Sequence, residues 1–322
     1  MTATTPSLEI SVVICAYTEA RWSELVEAIR SVQEQTLPPF EIIVVVDNNP
    51  ALLERAQVEL DVRVAENVQV RGLGGARNSG VAVSNGTIVA FLDDDAVADP
   101  DWLKRFSAAY EDENVLGVGG AIEPVWLGGR PRWFPKEFDW VVGCTYEGMP
   151  DSTTSVRNLI GCNMSYRRDV LDALDGFRLG YGCDETEFCI RARRRWPEGS
   201  LLYDPKAKVS HLVPASRSRW RHFRSRCYFE GGSKAVVSWL VGSQDGLASE
   251  RAYTRRVLPR AIGRGFSDAV ARRDWVGLAR VAAIIAGLTI TAAGYLVGKL
   301  TVARAADVRG WREVSSAGTQ AV

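Results

Sequence analysis

Three aspartates stand in a row at the end of an apolar run, Phe91-Leu92-Asp93-Asp94-Asp95, directly after Thr87-Ile88-Val89-Ala90. Adjacent carboxylates at a strand end suit a hard divalent cation such as Mg2+ or Mn2+. A cation held by one or two of them keeps coordination sites free for phosphate oxygens. A departing diphosphate needs that compensation of charge. The same string also serves as a solvated turn, where Asp is common.

Three further clusters carry chemistry, each with a structural reading beside it. Asp47 ends the run Glu41-Ile-Ile-Val-Val-Val-Asp47 and precedes Asn48-Asn49. It can accept a hydrogen bond from a nucleobase N–H, or it can cap a helix. The stretch Arg71 to Gly80, RGLGGARNSG, is a glycine-rich turn opening a helix, with Arg77 and Asn78 in the first turns. Such a turn brings backbone N–H groups and an arginine toward a phosphate, or it is a loop that needs glycine torsions. It matches neither the P-loop nor the GxGxxG spacing. The stretch Gly182 to Trp196, GCDETEFCIRARRRW, places Asp184 and Glu185 at a helix start with Glu187 one turn in. A carboxylate there can deprotonate a hydroxyl, and it also answers the helix dipole.

These residues need a scaffold that gathers them. Apolar runs at Glu9–Cys15, Glu41–Asp47, Asp61–Ala65, Thr87–Asp93 and Asn114–Ile122 read as strands. Helical patterns at Arg21–Gln35, Pro50–Leu60, Gly75–Ser84 and Pro100–Tyr110 alternate with them. That alternation implies βαβ units and a parallel, doubly covered sheet. Ligands bind such sheets at the carboxyl ends of the strands. Tyr17-Thr18-Glu19, Asp47-Asn48 and Asp93-Asp94-Asp95 all fall there. Further on, Leu159–Arg167 and Ser200–Tyr203 read as strands and Asp184–Trp196 as a helix. The aromatic stretch WLGGRPRWFPKEFDW, with Trp126, Trp133 and Trp140, suits a sugar-ring lining or a core.

Composition sets limits. The chain has 322 residues with 39 Lys+Arg against 39 Asp+Glu. That balance lacks the positive excess of a nucleic-acid binder. Six cysteines without a CxxC pair and two histidines argue against a zinc site or a disulfide scaffold. Buried free thiols in a reducing compartment fit instead. MTATTPSLEI does not read as a secretory signal.

The last third changes character. Ser216 to Arg226 is a basic tract (Arg217, Arg219, Arg221, Arg224, Arg226) that can clamp a lipid phosphate, meet anionic headgroups, or form a solvated helix face. Val257, Leu258, Ala261, Ile262, Phe266, Ala269 and Val270 recur at helical spacing with arginines between them, as in a basic amphipathic helix. Val281 to Gly298 then gives 18 residues without a charge, close to the roughly 20 that cross a bilayer. Gly294 and Gly298 form a GxxxG spacing, and Ala283, Gly287 and Thr291 share a small-residue ridge, suited to close helix packing. A buried alanine-rich helix of a soluble protein is the other reading. The arginine-rich approach keeps the preceding domain cytoplasmic by the positive-inside rule. The expected division is a catalytic domain over 1–230, a basic helical region over 231–274, a transmembrane helix over 275–303 and a polar tail over 304–322.

The ordered set SVVICAY, VVVD, GARNSG, FLDDD, GCNMSYRR and an acidic pair heading a helix resembles the family 2 inverting glycosyltransferases with the GT-A fold, over roughly residues 8 to 225. The resemblance implies an α/β, Rossmann-like mixed sheet of the nucleotide-diphospho-sugar transferase kind, with a C-terminal helical, membrane-associated tail. It implies a nucleotide pocket of Ala16, Tyr17, Glu19, Asp47, Arg77, Asn78, Asp93 and Asp94, with Asp47 on a uracil-type base. Asp95 and Asp93 become the ligands of Mg2+ or Mn2+. Gly161, Cys162 and Asn163 border the donor sugar, and His211 and Arg219 meet the diphosphate. The family's usual Glu-Asp pair is reversed here, so the base is Glu185 or Asp184, with Glu185 aligned to the base position. The QxxRW of processive synthases is absent, and Arg219-Trp220-Arg221 only partly echoes it, which speaks against long-chain polymerisation. The implied reaction moves a sugar from a UDP-type donor to a hydroxyl of a glycan or lipid-linked acceptor, at the cell membrane and with no nucleic acid involved. The alternatives are a polyprenyl-phosphate sugar synthase and a non-catalytic, membrane-bound nucleotide-binding scaffold.

Overall fold

The structure, a computed structural model, describes residues 8–178, 183–242, 251, 253–271 and 273–307, the last five as backbone only. Gly182 of the acidic stretch, Arg272 of the basic region and 308–322 of the expected polar tail lie outside the described residues. Two compact units emerge. The first takes in the chain up to Gly129, the segment from Val142 and Asp184–Pro214, and the second takes in Arg130–Val141, Cys183 and the chain from Ala215.

The first unit is a sheet with helices. Strands β1 (Ile10–Ala16), β2 (Glu41–Val46), β3 (Arg63–Glu66) and β4 (Ile88–Asp93) are parallel in the spatial order β3-β2-β1-β4. Their β-branched residues bury on both faces, as a covered parallel sheet requires. Helices α1 (Trp22–Gln33), α2 (Pro50–Glu59), α3 (Leu73–Val83) and α4 (Trp102–Ala109) fall between or after these strands. The expected helix from Arg21 instead begins as a 3-10 turn, Glu19–Arg21, capped by the Thr18 hydroxyl.

Beyond β4 the sheet becomes mixed. It adds β5 (Ala96–Ala98), β6 (Val115–Trp126), β7 (Thr154–Ser155), β8 (Asn163–Arg167) and β9 (Ser200–Val213). β8 runs antiparallel between β4 and β6, and β9 runs parallel to β6. β9 extends well past the expected Tyr203. Its register against β6 shifts between Gly120 and Ile122, where a side chain at Gly120 would run into the Ala207 carbonyl. Glycine there lets the long strand continue through Pro205. The bend carries His211 to a place opposite Ala96, on the short strand β5. Helices α5 (Arg168–Ala173) and α6 (Asp184–Arg195) complete the unit. Its core joins Val13, Ile43, Phe91, Tyr166, Phe177 and Phe188, with the Phe91 and Phe177 rings edge-on at 5.5 Å.

The second unit is helical. It holds α7 (Trp220–Val241), α8 (Leu258–Ala271) and α9 (Val276–Asp307). The chain passes into this unit for its remaining length after Pro214, and α7 runs across position 230. The GxxxG glycines do pack closely: a side chain at Gly294 would strike the Tyr228 carbonyl, and one at Gly298 the Ala235 side chain, while Gly231 on α7 sits under the Thr291 carbonyl. Arg130 forks onto Asp139 at 2.6 and 3.0 Å, fixing the segment that bears Trp133, Phe134 and Phe138. One described helix is long and apolar enough to cross a membrane, over Val276–Val302, with a mean hydropathy of 1.9. Only 28% of its apolar window is buried, unlike the core helix of a soluble protein. Ile285, Leu296 and Leu300 are each more than half exposed. These features support association of this helix with a membrane.

Candidate active site

Strand β4 delivers the acidic run to the carboxyl edge of the sheet, and β5 turns it back onto β9. Asp93 is partly open, while Asp94 and Asp95 are buried at 3% and 5% exposure. Arg21 reaches both buried carboxylates through Nη1, 2.8 Å from Asp94 Oδ1 and 3.0 Å from Asp95 Oδ2. His211 Nε2 lies 3.2 Å from Asp95 Oδ1. Its Nδ1 lies 3.6 Å from the Cys144 thiol. The imidazole therefore lies between the acidic run and the Cys144 thiol, which also reaches the Val142 carbonyl.

Arg77, buried to 3%, comes to Asp93 from the other side at 3.7 Å and donates to the Gly161 carbonyl at 2.9 Å. A carboxylate oxygen of Asp93, the Cys162 sulfur and a ring nitrogen of His211 all lie within 4.8 Å of one another. That spacing suits one small cation. Burial pushes the Cys162 thiol well up, with Asp93 and Asp95 adding to it, so the sulfur stays a neutral, weak donor. The strong donors are then the Asp93 and Asp95 oxygens and the His211 nitrogen, a set that fits a divalent cation of the Mg2+ or Mn2+ type. One oxygen of Asp94, Oδ2, is buried without a hydrogen-bond partner. Burial raises the Asp94 carboxyl to about 7, against the opposing pull of Arg21.

The edge of β2 shapes the glycine-rich loop. Asp47 Oδ2 accepts from the Gly72 N–H at 3.0 Å and Oδ1 from Asn67 Nδ2 at 2.6 Å. The cap of α2 is supplied by Asn49, whose side chain accepts from Leu52 N–H. Gly72 adopts φ +125°, and a side chain at Gly75 would collide with the Val70 carbonyl. The loop's glycines are required by torsion and close approach, and the helix it opens seats Arg77 beside Asp93. Tyr17 is 54% exposed, with the Arg21 guanidinium 5.4 Å from its ring centre, while Ala16 is buried behind it and Glu19 is exposed.

Residues 11–175 match the family described as Glycosyl transferase family 2. The chain belongs to that family. It is a glycosyltransferase, 32% identical over 91% of its length to the glucosyl-dolichyl phosphate glucuronosyltransferase of Haloferax volcanii, 97% of which is covered. It is 27% identical to the succinoglycan biosynthesis protein ExoM of Rhizobium meliloti, over 68% of this chain and 73% of that one. Its fold is similar to that of the mannosyltransferase PcManGT of Pyrobaculum calidifontis, at a TM-score of 0.56 and 17% identity over 89% and 88% of the two chains. The mixed sheet is thus a GT-A sheet.

Within this glycosyltransferase the acidic helix α6 divides its work. Glu187 is fully buried and receives Arg191 Nε at 2.8 and 2.9 Å and Arg178 at 3.1 Å. Arg191 also ties down the Leu174 and Gly176 carbonyls, so this ion pair braces the turn before α6. Asp184 and Glu185 stay partly exposed at the helix head. Tyr166, whose hydroxyl is held well above its ordinary range mainly by burial, lies within the fields of both Glu185 and Arg77. Phe188 of α6 packs on Tyr166 at 4.7 Å and on Phe177 at 4.9 Å, and the Arg77 guanidinium lies 5.9 Å from the Phe177 ring, so α6 and Arg77 border one aromatic cluster.

Two expected site residues have other partners. Asn78 pairs with the backbone of Phe177 on both sides, donating to its carbonyl and accepting from its N–H, each at 2.8 Å. Asn163 is wholly buried, accepting from Trp102 Nε1 and donating to the Ala121 and Ala207 carbonyls. Their neighbours Arg77, Gly161 and Cys162 lie together beside Asp93, and the two asparagines brace the backbone around them. Arg219 belongs to the second unit, where it is exposed at the start of α7. The sequence reading missed Arg21 and Cys144. The signal for Arg21 was its place one short turn after β1, directly across from the acidic run, but nothing in the string YTEAR distinguishes it from a surface arginine.

Proposed function

We propose that this glycosyltransferase moves a sugar, with inversion, from a nucleoside-diphosphate donor to a hydroxyl of a lipid-linked or glycan acceptor. The observation that carries this reading is the convergence of Asp93, Asp95 and His211 beside Arg77 at the carboxyl edge of β4. Asp93, Asp95 and His211 would hold a divalent cation, Mg2+ or Mn2+. A cation there supplies charge to stabilise the departing diphosphate. The mannosyltransferase neighbour was solved with GDP-mannose and Mn2+, which supports the assignment.

The protein's own groups do the rest. Arg77 supplies a buried positive charge for the phosphate side. Arg21 offsets the repulsion between Asp94 and Asp95, keeping the run folded into the site. Asp47 holds the glycine-rich loop, and Tyr17 offers an exposed face for the nucleoside. Glu185, or Asp184 beside it, takes the proton from the attacking hydroxyl as that oxygen displaces the diphosphate in one step.

The Haloferax volcanii relative is named for a glucosyl-dolichyl phosphate acceptor. The same class of acceptor fits the membrane-suited helix α9 here. Arginines at 255, 256, 260, 264 and 273 precede that helix and support a single-pass arrangement in the cell membrane, with the catalytic unit in the cytoplasm. Calorimetric titration with UDP and GDP, with and without Mn2+, tests the donor half of the reading. Metal-dependent binding of one of them supports it. Binding of neither, in the presence of metal, refutes it.

A further inference from the structure

The second unit contains an apolar groove that the chemistry above does not use. Trp133 and Trp220 wall it, and Ala279, Ala282, Ala283 and Ala286 of α9 floor it, in a shallow depression open to solvent of about 340 Å³. That volume falls in the range of roughly 300–1,000 Å³ typical of small-molecule sites. The four alanines lie at i, i+3, i+4 and i+7, a single stripe on the helix. They leave open a channel that the leucines and isoleucines found elsewhere on α9 would close. The walls are packed ring on ring. Trp220 stacks on Phe223 at 5.2 Å, and Trp133 meets both Trp220 and Phe223 edge-on at 5.5 Å.

Two features of its setting say what fits. The alanine stripe forms the first turns of the one described helix able to cross a membrane. Arg280, within the first turn of the stripe, pairs back to Asp268 and Asp274 ahead of the helix, and Trp275 just before the helix is 71% exposed. The groove therefore sits where a polar approach gives way to an apolar span, the level at which a lipid's phosphate meets its chain. Second, the Trp220 wall is flanked by positive charge. Arg219 and Arg221 adjoin it and Arg224 lies one turn on. All three are exposed, and none forms an ion pair among the described residues. Such cations beside an aromatic, apolar slot complement a phosphate joined to a long hydrocarbon chain.

We propose that this groove binds the head-proximal part of the chain of the lipid-phosphate-linked acceptor, with Arg219, Arg221 and Arg224 supplying charge for its phosphate. The assignment rests on the lipid-linked reading given above, and it names where the lipid is held. It also accounts for two tryptophans set against a floor of alanines.

The test uses the full chain in nanodiscs of zwitterionic phospholipid and a polyprenyl monophosphate bearing a diazirine near the phosphate end of its chain. After photolysis, the labelled peptides are mapped by mass spectrometry. The expected labels fall on Trp133, Trp220 and the alanines at 279, 282, 283 and 286, and unlabelled polyprenyl monophosphate competes while polyprenol without phosphate competes weakly. Ala282→Trp, at an exposed position on the groove floor, should lower labelling about ten-fold. Ile285→Trp, on the outward face, should leave it unchanged. Labels spread over Ile285, Leu296 and Leu300, or displaced equally by bulk phospholipid, overturn the proposal, because they mark the helix as merely immersed in lipid. Labelling requires no turnover. A protein labelled in the groove that transfers no sugar to lipid acceptors contradicts the functional reading and leaves the groove standing. One that transfers sugar while labelled elsewhere contradicts the groove alone.

Discussion

His211 Nε2 meets Asp95 Oδ1 at 3.2 Å because β5, only three residues long, pairs antiparallel with β9 and sets Ala96 opposite His211. A short strand thus ties the acidic run to the imidazole. Replacing His211 with Asn keeps a polar side chain near Asp95 and removes the imidazole nitrogen. The expected result is an affinity for Mn2+ at least about ten-fold weaker, read by electron paramagnetic resonance of free Mn2+. Unchanged Mn2+ binding would remove His211 from the ligand set.

Glu185→Gln removes a proton acceptor without changing size. If Glu185 is the base, the turnover rate falls by roughly 10²- to 10⁴-fold while donor affinity stays within experimental error. Asp184→Asn should then retain most of its rate. The reverse pattern assigns the base to Asp184. Near-normal rates in both variants would favour an acceptor whose attacking oxygen needs no base, such as a phosphate.

The Asp94 carboxyl is raised from 3.8 to about 7, chiefly by burial. Between these values the folded protein holds a proton there that the unfolded chain releases. This group's contribution to stability is therefore full below about pH 4, declines as pH rises through the window and is gone above about pH 7. Asp94→Asn cannot ionise. In metal-free protein the stability of the variant relative to the parent should increase across that window, by at most about 1.4 kcal/mol per pH unit. Thermal melts of both proteins from pH 4 to pH 8 check this. A difference that stays flat with pH contradicts the assignment.

Gly294 is packed under the Tyr228 carbonyl of α7, so no larger residue fits without parting the two helices. Gly294→Leu should destabilise the second unit by about 1–3 kcal/mol, seen as earlier hydrogen exchange in α7 and α9. Gly263→Ala, where open space surrounds the glycine, is the matched control and should leave exchange unchanged or slower. Equal behaviour of the two variants would argue against close packing at Gly294.

The strands of the catalytic sheet were legible because their side chains announce themselves. Runs such as Ile42-Ile43-Val44-Val45-Val46 are buried on both faces, and their terminal aspartates mark the ligand edge. Less legible was everything set by long-range pairing. β5 is too short to carry a pattern, and the continuation of β9 through Pro205 depends on the fit of Ala207 over Gly120. Arg21 became a site residue only when β1 and β4 were placed side by side. Asn78 and Asn163 read as ligand contacts, and the string could not show that each amide has partners within the protein. The GxxxG spacing identified a packing face correctly, but the partner helix α7 was hidden inside a tract read as basic surface.

The central claim is metal-assisted transfer from a nucleoside-diphosphate sugar, and a donor screen tests it most directly. The purified protein is incubated with a panel of UDP- and GDP-linked sugars, with and without Mn2+, and release of the nucleoside diphosphate is followed. The expected result is release from one donor or a narrow set, dependent on the metal and lost in Asp95→Asn. Release that ignores both the metal and Asp95, or no release from any donor in the panel, would contradict the account.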